Sequence, residues 1–403
     1  MNILYIVQQS VYNNNNKWIS ADSNLIMVAG IVDQLLEKTD WNIDIMIAPI
    51  DKFSDIIDYN QLLIRSSNKI KFIVRDSPIS AFTNRYHFDA NFFYNILKEG
   101  NYDIIINNII ELTRNIKTVC YELKQYPKII VSNYWIDCPL INEEKVPLDI
   151  SYDWRQIDGA ECADLVTFTC PSTKCAFLNN CDLRINSKVA LDISKKSTIW
   201  DFGFSAYELN KYRNIVFPET KSTIKMILFP NRLSMINYTH HEEFIEAVNN
   251  LYEKRQDFRV VFTNPSQKIS WGWLKDNVKS LYCFTEKSLS RGQYISLLWN
   301  SDIIVSLYTI ERYGGCANVE GIYCEAYPVM TNFGEYPFRA QGTVPLVKID
   351  LSNLEEVLNI ALNDCKKQSL NNIKLRKDLV FNSSSYEKVS DKVINDVRRI
   401  TNT

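Results

Sequence analysis

Short runs of isoleucine and valine alternate with helical segments along almost the whole chain, and this alternation constrains the fold more than any other feature. Residues 24–37, for example, carry apolar side chains at helical spacing between two such runs. Strands that are apolar without interruption are buried on both faces, which is typical of a parallel sheet covered by helices. The sequence therefore predicts an α/β fold with doubly wound parallel sheets. The runs that predict strands in the first half are residues 3–7, 43–48, 72–74, 104–107, 128–132 and 165–169.

The same pattern restarts after a polar stretch at residues 211–223. A chain of 403 residues also exceeds what one hydrophobic core usually organises. We expect two Rossmann-like domains facing a cleft, the first at residues 1–215 and the second at residues 216–384. The last helix, residues 385–403, fits either domain and is placed with the first. The strands predicted for the second domain are residues 226–229, 259–263, 281–284, 303–307 and 328–331.

Charge and composition argue against several classes of protein. Lysine and arginine number 45 against 47 acidic residues, so the chain as a whole lacks the basic character of a nucleic-acid binder, although a local basic groove stays open. The apolar runs are too short to span a bilayer, and the first residues lack the basic region of a signal peptide. Ten cysteines without regular pairing and only three histidines argue against a metal site. We expect a cytoplasmic protein (in the host cytoplasm if a phage encodes it) that uses no metal or other cofactor.

The segment at residues 306–329 carries the clearest chemistry. It leads from the end of a strand through Glu311 and a Gly-Gly pair into a helix that contains Glu320. Glycines let the backbone approach a ligand, and a helix start offers N–H groups and a positive dipole end to an anion. Glu320 could take both hydroxyls of a ribose and Glu311 could accept from sugar hydroxyls, or both acids could be solvated residues of an ordinary turn. The backbone amides expected to face the anion are those of Gly314, Gly315 and Cys316.

This segment resembles the acidic signature of retaining glycosyltransferases of the family-4 type, which have the GT-B fold. Their signature separates two glutamates by seven residues, whereas eight residues separate Glu311 from Glu320. The helix is similar to the E-A-V-Y-C-G-C-Y-P run of the group that includes the tRNA-queuosine mannosyltransferase, with Glu325-Ala326-Tyr327 in place of the usual glycine before the proline. The resemblance implies that Glu320 fixes the ribose of a nucleotide-sugar, while the Gly-Gly turn and Cys316 neutralise its diphosphate.

A second part of the resemblance follows the first strand of the second domain. The family carries there an arginine and, about five residues on, a lysine, and both grip the donor diphosphate. Arg232 matches the arginine, and its guanidinium suits phosphate oxygens. The lysine position falls near Asn237, so the second cation is missing. His240 or His241 could replace it, or could instead cap the following helix.

The first domain resembles the family only loosely. Asp137 lies in a loop after a strand, where it could orient the acceptor hydroxyl, although a loop-capping role fits it equally well. The segment at residues 8–23 lacks the glycine-rich turn that is common in the family, and we interpret it as a loop that contacts the acceptor. Tryptophans that could form platforms for a base or a sugar, although most tryptophans are core residues, are Trp18, Trp135 and Trp154.

Together these features predict a retaining glycosyltransferase that moves a hexose or pentose from a nucleotide-sugar, first of all a UDP-sugar, to a hydroxyl acceptor. The residues assigned to catalysis are Glu311, Asp137 and Arg232.

The acceptor is predicted from composition. Abundant asparagine, isoleucine, lysine and tyrosine indicate an AT-rich genome, and phage enzymes that glucosylate hydroxymethylated DNA bases share the implied fold. Such a base in phage DNA is the first candidate, and a cell-surface glycan, a tRNA or a small molecule is the alternative. A non-catalytic nucleotide-binding protein on a degenerate GT-B scaffold is the third interpretation. Lysines that could contact DNA phosphates, although such runs are more often solvated, are Lys195, Lys196, Lys366, Lys367, Lys374 and Lys377.

Overall fold

The computed structural model divides the chain into two units, and each is described by itself. Met1–Gly203 together with Tyr386–Thr403 form the first unit, and Phe204–Ser385 form the second. The boundary between the units lies between Gly203 and Phe204. It precedes residue 215, where the division predicted from the sequence ends the first domain. The structure describes residues 1–7, 12–14, 17–19, 23–47, 68–74, 88–132, 150–201, 203–215, 224–231, 233, 239–263, 269–282, 289–309 and 315–402.

The first unit is built on a seven-stranded parallel sheet, which confirms the predicted α/β class. Its strands, with the short pair β2 and β3, are β1 (Asn2–Ile6), β2 (Tyr12–Asn14), β3 (Lys17–Ile19), β4 (Asn42–Ile47), β5 (Ile70–Val74), β6 (Ile104–Asn107), β7 (Lys128–Ser132), β8 (Leu165–Phe168) and β9 (Ser197–Ile199). The order across the sheet is β5-β4-β1-β6-β7-β8-β9. Leu4 in the interior strand β1 stands opposite Asp44 of β4 and Ile105 of β6. Every residue of β6 and β8 is buried, as expected for strands covered on both faces.

Helices connect the strands of both units, and several begin at a side-chain cap. The helices are α1 (Ser23–Lys38), α2 (Ala90–Gly100), α3 (Thr113–Glu122), α4 (Ile150–Cys162), α5 (Pro171–Arg184), α6 (Ser187–Lys195), α7 (Ala206–Lys211), α8 (His241–Lys254), α9 (Trp271–Asn277), α10 (Arg291–Asn300), α11 (Cys316–Tyr323), α12 (Tyr336–Ala340), α13 (Leu354–Asp364), α14 (Leu370–Ser384) and α15 (Tyr386–Thr401). Asp89 accepts from the amide of Phe92 at 3.0 Å, and Ser290 and Gln293 form a reciprocal capping box. Such caps satisfy amides that have no partner within the helix.

The segment interpreted as a plain loop at residues 8–23 contains two short strands, which corrects that interpretation. β2 and β3 pair antiparallel, with Tyr12 opposite Ile19 and Asn14 opposite Lys17. The tight spacing of two strands within eight residues, around a run of asparagines that favours turns, allows this pairing.

Helix α15 belongs to the first unit because its side chains pack against α1. A Cβ atom on Gly30 would lie 2.2 Å from the ring of Tyr386, so the glycine lets this aromatic residue approach the helix. Lys38 forms an ion pair with Asp391 at 2.7 Å. These contacts join the last helix to the first unit.

The second unit contains a four-stranded parallel sheet. Its strands are β10 (Lys225–Phe229), β11 (Phe258–Phe262), β12 (Ile303–Ser306) and β13 (Tyr327–Met330), in the order β11-β10-β12-β13. The rings of Phe229 and Phe244 stack with centroids 4.8 Å apart, and Phe262 lies 5.5 Å from Phe229 in the same core. Within the strand predicted at residues 281–284, Leu281 forms a parallel bridge with Val260, and residues 283–284 lie outside the described residues.

Gly159 in α4 is a position where even a methyl group would displace backbone. A Cβ atom there would lie 2.1 Å from the carbonyl oxygen of Ile110. We expect Gly159→Ala to lower the free energy of unfolding by about 1–3 kcal/mol, because overpacking forces the surroundings to shift. Gly272→Ala in α9 is the matched control, since its nearest neighbour lies 3.6 Å away and alanine favours a helix. Chemical denaturation of both variants measures the difference, and equal stabilities would contradict the close approach.

Candidate functional site

The carboxyl ends of three neighbouring strands meet at one edge of the second sheet. β10 ends at Phe229, β12 at Ser306 and β13 at Met330, and the three strands are parallel neighbours. The side chain of Asn231, in the loop after β10, donates to the carbonyl oxygen of Val305 at 3.3 Å. Ligands of open α/β sheets bind outside this end of the strands. The carboxyl edge of β10, β12 and β13 is therefore the candidate site.

Gly315, Cys316 and Glu320 are the predicted site residues that the structure describes. Gly315 directly precedes α11 and has a φ of 61°, a left-handed angle that favours glycine. A Cβ atom there would lie 3.9 Å from the nearest atom, in Tyr308, so the backbone angle and not a lack of space requires glycine. Cys316 begins the helix, and a helix start presents amides suited to an anion. The predicted residues that lie outside the described residues are Asp137, Arg232, Glu311 and Gly314.

Glu320 lies in the second turn of α11 and is only 5% exposed. Its Oε1 atom accepts from Nη2 of Arg291 at 2.5 Å, and its Oε2 atom accepts from the hydroxyl of Tyr294 at 3.1 Å. Arg291 also pairs with Glu208 at 3.2 Å. The carboxylate predicted to bind a ribose is therefore held from α10 by two donors. A role in ribose binding stays a prediction, to which the structure adds the groups that orient the carboxylate.

The electrostatics of this cluster keep its donors protonated. Burial and the neighbouring carboxylate of Glu320 raise the pKa of Tyr294 well above its ordinary value. Burial lowers the pKa of Arg291, but the carboxylates of Glu320 and Glu208 raise it more, so that it stands well above its ordinary value. The phenol and the guanidinium therefore act as hydrogen-bond donors at any physiological pH. Sequence reasoning missed Arg291 and Tyr294, because only their i, i+3 spacing on a helix links them.

A second polar cluster lies beneath the start of α11. The amide nitrogen of Asn318 lies 3.4 Å from the hydroxyl of Ser306, and Nη1 of Arg339 lies 3.4 Å from the amide oxygen of Asn318. All three side chains are buried, Arg339 to 4% exposure. A buried guanidinium beside a helix start adds positive potential to this edge. Arg339 carries no sequence signature, and its place became evident only from the fold.

The two adjacent histidines have different surroundings. Burial lowers the pKa of His241, whose Nδ1 atom lies 3.3 Å from the hydroxyl of Thr239. His240 holds the position before α8, but its side chain makes no capping hydrogen bond. Its ring instead contacts Thr309 at 2.7 Å and Glu243 at 3.1 Å. His240 therefore holds the N-cap position of α8, as one of the two interpretations expected, while its side chain contacts Thr309 and Glu243 instead of the helix amides.

Glu325 ends α11 where the resembling sequences carry glycine, and it adopts the left-handed backbone that glycine favours, with a φ of 74°. Its carboxylate pairs with Arg213 at 3.1 Å and with Lys377 at 2.6 Å. Lys377 also lies over the ring of Trp299, 5.2 Å from its centroid. These ion pairs offset part of the cost of the backbone angle, which explains how a glutamate occupies this position.

The lysines considered as phosphate contacts are largely engaged within their own unit. Lys196 donates to the carbonyl oxygens of Glu161 and Ala163 at 2.6 and 2.7 Å, and burial lowers its pKa. Lys366 pairs with Asp302, as Lys377 does with Glu325. Their charges are therefore committed to local contacts.

Few of the acceptor-side features predicted for the first unit fall on described side chains. Trp154 in α4 is 49% exposed, which excludes a core role for this tryptophan. Trp135 lies outside the described residues, as Asp137 does, and the side chain of Trp18 is not among those described. Within the described ranges no helix has the length and apolar character to cross a bilayer, and no three His, Cys, Asp or Glu side chains are grouped to hold a metal.

Comparison with known proteins gives similarity in structure without similarity in sequence. No protein-family model and no curated protein sequence matches the chain. Solved structures match it over nearly its full length. The sucrose-phosphate synthase of Thermosynechococcus elongatus is 14% identical, with a TM-score of 0.70 and coverage of 99% of this chain and 98% of that one.

Two further solved structures also match over nearly the whole chain. HepE of Anabaena, in complex with UDP-glucose, is 12% identical with a TM-score of 0.66, over 99% of this chain and 100% of HepE. A trehalose-6-phosphate synthase, studied for glycosyl transfer with retention, is 13% identical with a TM-score of 0.65, over 98% and 99% of the two chains. At these identities the similarity establishes the fold, and this chain has the GT-B fold, with two Rossmann-like domains built on parallel sheets.

Proposed function

We propose that this protein is a glycosyltransferase that takes its sugar from a nucleotide-sugar. The observation that carries the proposal is the match of nearly the whole chain to solved glycosyltransferases, one of them in complex with UDP-glucose. Fold alone names no reaction, so the site must supply the chemistry. The carboxyl edge of β10, β12 and β13 offers a glycine-headed helix start and a buried arginine, both of which suit a diphosphate.

The reaction requires stabilisation of a leaving nucleoside diphosphate. Arg232 and the backbone amides of Gly314, Gly315 and Cys316 neutralise its growing negative charge, which is an electrostatic contribution to catalysis. Glu320, oriented by Arg291 and Tyr294, accepts from the ribose hydroxyls. Glu311 accepts from the sugar, and Asp137 orients the acceptor hydroxyl. Transfer proceeds with retention of the anomeric configuration, as in the trehalose-6-phosphate synthase that the chain resembles in fold.

The acceptor is proposed on narrower grounds. Hydroxymethylated bases of phage DNA come first because of the residue composition, and a flipped base would have to reach the site. The local ion pairs of Lys366 and Lys377 weaken this proposal, because they leave fewer charges for phosphates. A glycan, a tRNA or a small molecule is the alternative acceptor. The non-catalytic interpretation predicts nucleotide binding without turnover.

A panel of UDP-, GDP- and ADP-sugars in a thermal-unfolding assay tests the proposal. A ligand at a hundredfold excess over its Kd stabilises the folded state by about 2.7 kcal/mol, so we expect one donor to raise the Tm clearly above the others. Mass analysis of hydroxymethylated DNA incubated with that donor then detects the added sugar. If a donor raises the Tm but the DNA gains no sugar, the acceptor is instead a glycan or an RNA. Binding of a donor without release of its sugar supports the non-catalytic interpretation. No shift with any nucleotide-sugar contradicts the proposed function.

A further inference from the structure

A cleft of about 780 Å³ lies at the amino ends of the strands of the first sheet. It is formed by the segments that lead into β4, β6 and β7, namely residues 40–41, 101–103 and 124–128, and by Arg398 and Thr401 in α15. Its volume is in the range of about 300–1,000 Å³ that is usual for small-molecule sites. Substrates of open α/β sheets bind at the opposite, carboxyl ends of the strands. This amino-edge cleft is therefore a separate place on the first unit, and the proposed reaction uses none of its side chains.

Two cations of the amino-edge cleft are uncommitted. Among the described residues, the Lys124 ammonium and the Arg398 guanidinium have no ion-pair or hydrogen-bond partner, and both residues are exposed. A third cation, Lys128, forms a long pair with Asp164 at 3.5 Å, with both side chains partly exposed. Exposed pairs of this kind contribute little, so Lys128 adds positive potential to the cleft. Ammonium and guanidinium groups that share one cleft suit the oxygens of a phosphate.

Two acids also line the cleft. Oδ2 of Asp103 accepts from the backbone amide of Asn2 at 2.8 Å, which engages this carboxylate within the fold. Asp40 is exposed and has no such contact among the described residues. An ionised carboxylate only accepts hydrogen bonds, so it suits the hydroxyls of a sugar. The cleft therefore fits a ligand that carries both a phosphate and hydroxyl groups better than it fits a bare anion.

An exposed tyrosine completes the cleft. The side chain of Tyr126 is 71% exposed, and its ring packs edge to face with that of Tyr121, with centroids 5.7 Å apart. Pro127 follows Tyr126 and restricts its backbone. Trp41 and Tyr102, both buried, contribute apolar surface to the same cleft. A supported ring that is this exposed offers a platform for a nucleobase, and such stacking tolerates any base.

We propose that the amino-edge cleft binds a nucleotide. Lys124 and Arg398 donate to its phosphate, and Asp40 accepts from its ribose hydroxyls. The base stacks on the ring of Tyr126. A free nucleotide and a strand of nucleic acid supply the same chemistry, so the experiment has to distinguish these two sources. The inference concerns the first unit by itself and does not rest on the proposed glycosyltransferase function.

The backbone of Lys124 provides a variant that separates binding from folding. Lys124 follows the end of α3 with a φ of 54°, a left-handed angle that favours glycine. Lys124→Gly therefore removes the ammonium and relieves the backbone at the same time. We expect this variant to unfold at the same temperature as the wild type or at a higher one, and to bind AMP about tenfold more weakly because a charge-assisted hydrogen bond is lost. Weaker binding by a protein that is no less stable does not come from misfolding.

Calorimetric titration with AMP measures the affinity of the wild type and the variants. Tyr126→Leu keeps an apolar side chain but removes the ring, and should weaken AMP binding about tenfold. Arg398→Ala should weaken it to a similar extent. Adenosine lacks the phosphate, so its weaker binding should not change in Lys124→Gly. Arg399→Ala is the matched control, because Arg399 is the next residue of α15 but pairs with Asp396 at 2.8 Å and does not line the cleft.

Glu320→Gln distinguishes the cleft from the candidate site of the second unit, and should leave the affinity for AMP unchanged. If this variant lost AMP binding while Lys124→Gly and Tyr126→Leu kept it, AMP would bind at the second unit and the inference would be overturned. Absence of binding at millimolar AMP also overturns it. A trinucleotide identifies the source: binding tighter than that of AMP, and equally sensitive to Lys124→Gly, indicates a nucleic-acid strand, and weaker binding indicates the free nucleotide. Failure of nucleotide-sugars to bind would contradict the proposed function and leave this inference standing.

Discussion

Replacement of Arg291 by methionine is expected to lower the free energy of unfolding by about 3 kcal/mol. The change leaves the carboxylate of Glu320, which is 5% exposed, without its charged partner. Removal of one partner from a buried pair costs more than the pair contributes, because the remaining charge stays buried. We take the lower end of the usual range because the Arg291 side chain is 35% exposed, so solvent screens part of the interaction.

Two further variants isolate the buried carboxylate as the cause. Glu208→Gln removes the more exposed partner of Arg291 and should cost less than about 1 kcal/mol. The double variant Arg291→Met with Glu320→Gln should be more stable than Arg291→Met alone, because no charge is then left buried. Urea denaturation of the wild type, Arg291→Met, Glu320→Gln and the double variant completes a double-mutant cycle, with Glu208→Gln measured beside it. If Arg291→Met lowered the free energy of unfolding no more than Glu208→Gln does, the Arg291–Glu320 pair would contribute little to stability.

The strands could be predicted because their signal is local. Continuous apolar runs such as residues 104–106 and 303–305 are buried along their whole length, and each lies in a strand of a parallel sheet. The extent of strand pairing could not be predicted in the same way, because it depends on which segments lie side by side. In the strand predicted at residues 281–284, Leu281 forms a parallel bridge with Val260 of β11, and residues 283–284 lie outside the described residues.

The surroundings of the site residues could not be predicted, because they depend on which helices lie side by side. The sequence indicates Glu320 through its place in a motif, but Arg291 lies in another helix without any signature. Gly315 was predictable, since a glycine before a helix in a strand–turn–helix segment already implies a special backbone angle. For Glu325 the sequence shows only that the residue stands where the resembling sequences carry glycine. Its left-handed backbone angle and its ion pairs with Arg213 and Lys377 became evident from the fold.

Arg232→Ala is expected to reduce sugar transfer by about 100- to 1000-fold, the usual cost of removing one donor that stabilises transition-state charge. Arg232 follows the end of β10 by three residues in the sequence, is proposed to neutralise the leaving diphosphate, and lies outside the described residues. Because the charge on the leaving group grows during the reaction, kcat should fall more than the affinity for the donor. Steady-state rates and donor binding, measured on the same preparations, separate the two effects.

Two other arginine variants define what the loss means. Arg232→Lys keeps the charge but not the paired geometry of the guanidinium, so it should recover only part of the rate. Arg399→Ala removes an exposed arginine of α15 in the first unit and should leave transfer unchanged. If Arg232→Ala turned over at the wild-type rate, Arg232 would have no part in the reaction, and the charge of the leaving diphosphate would have to be met by the start of α11 and by Arg339 and His240.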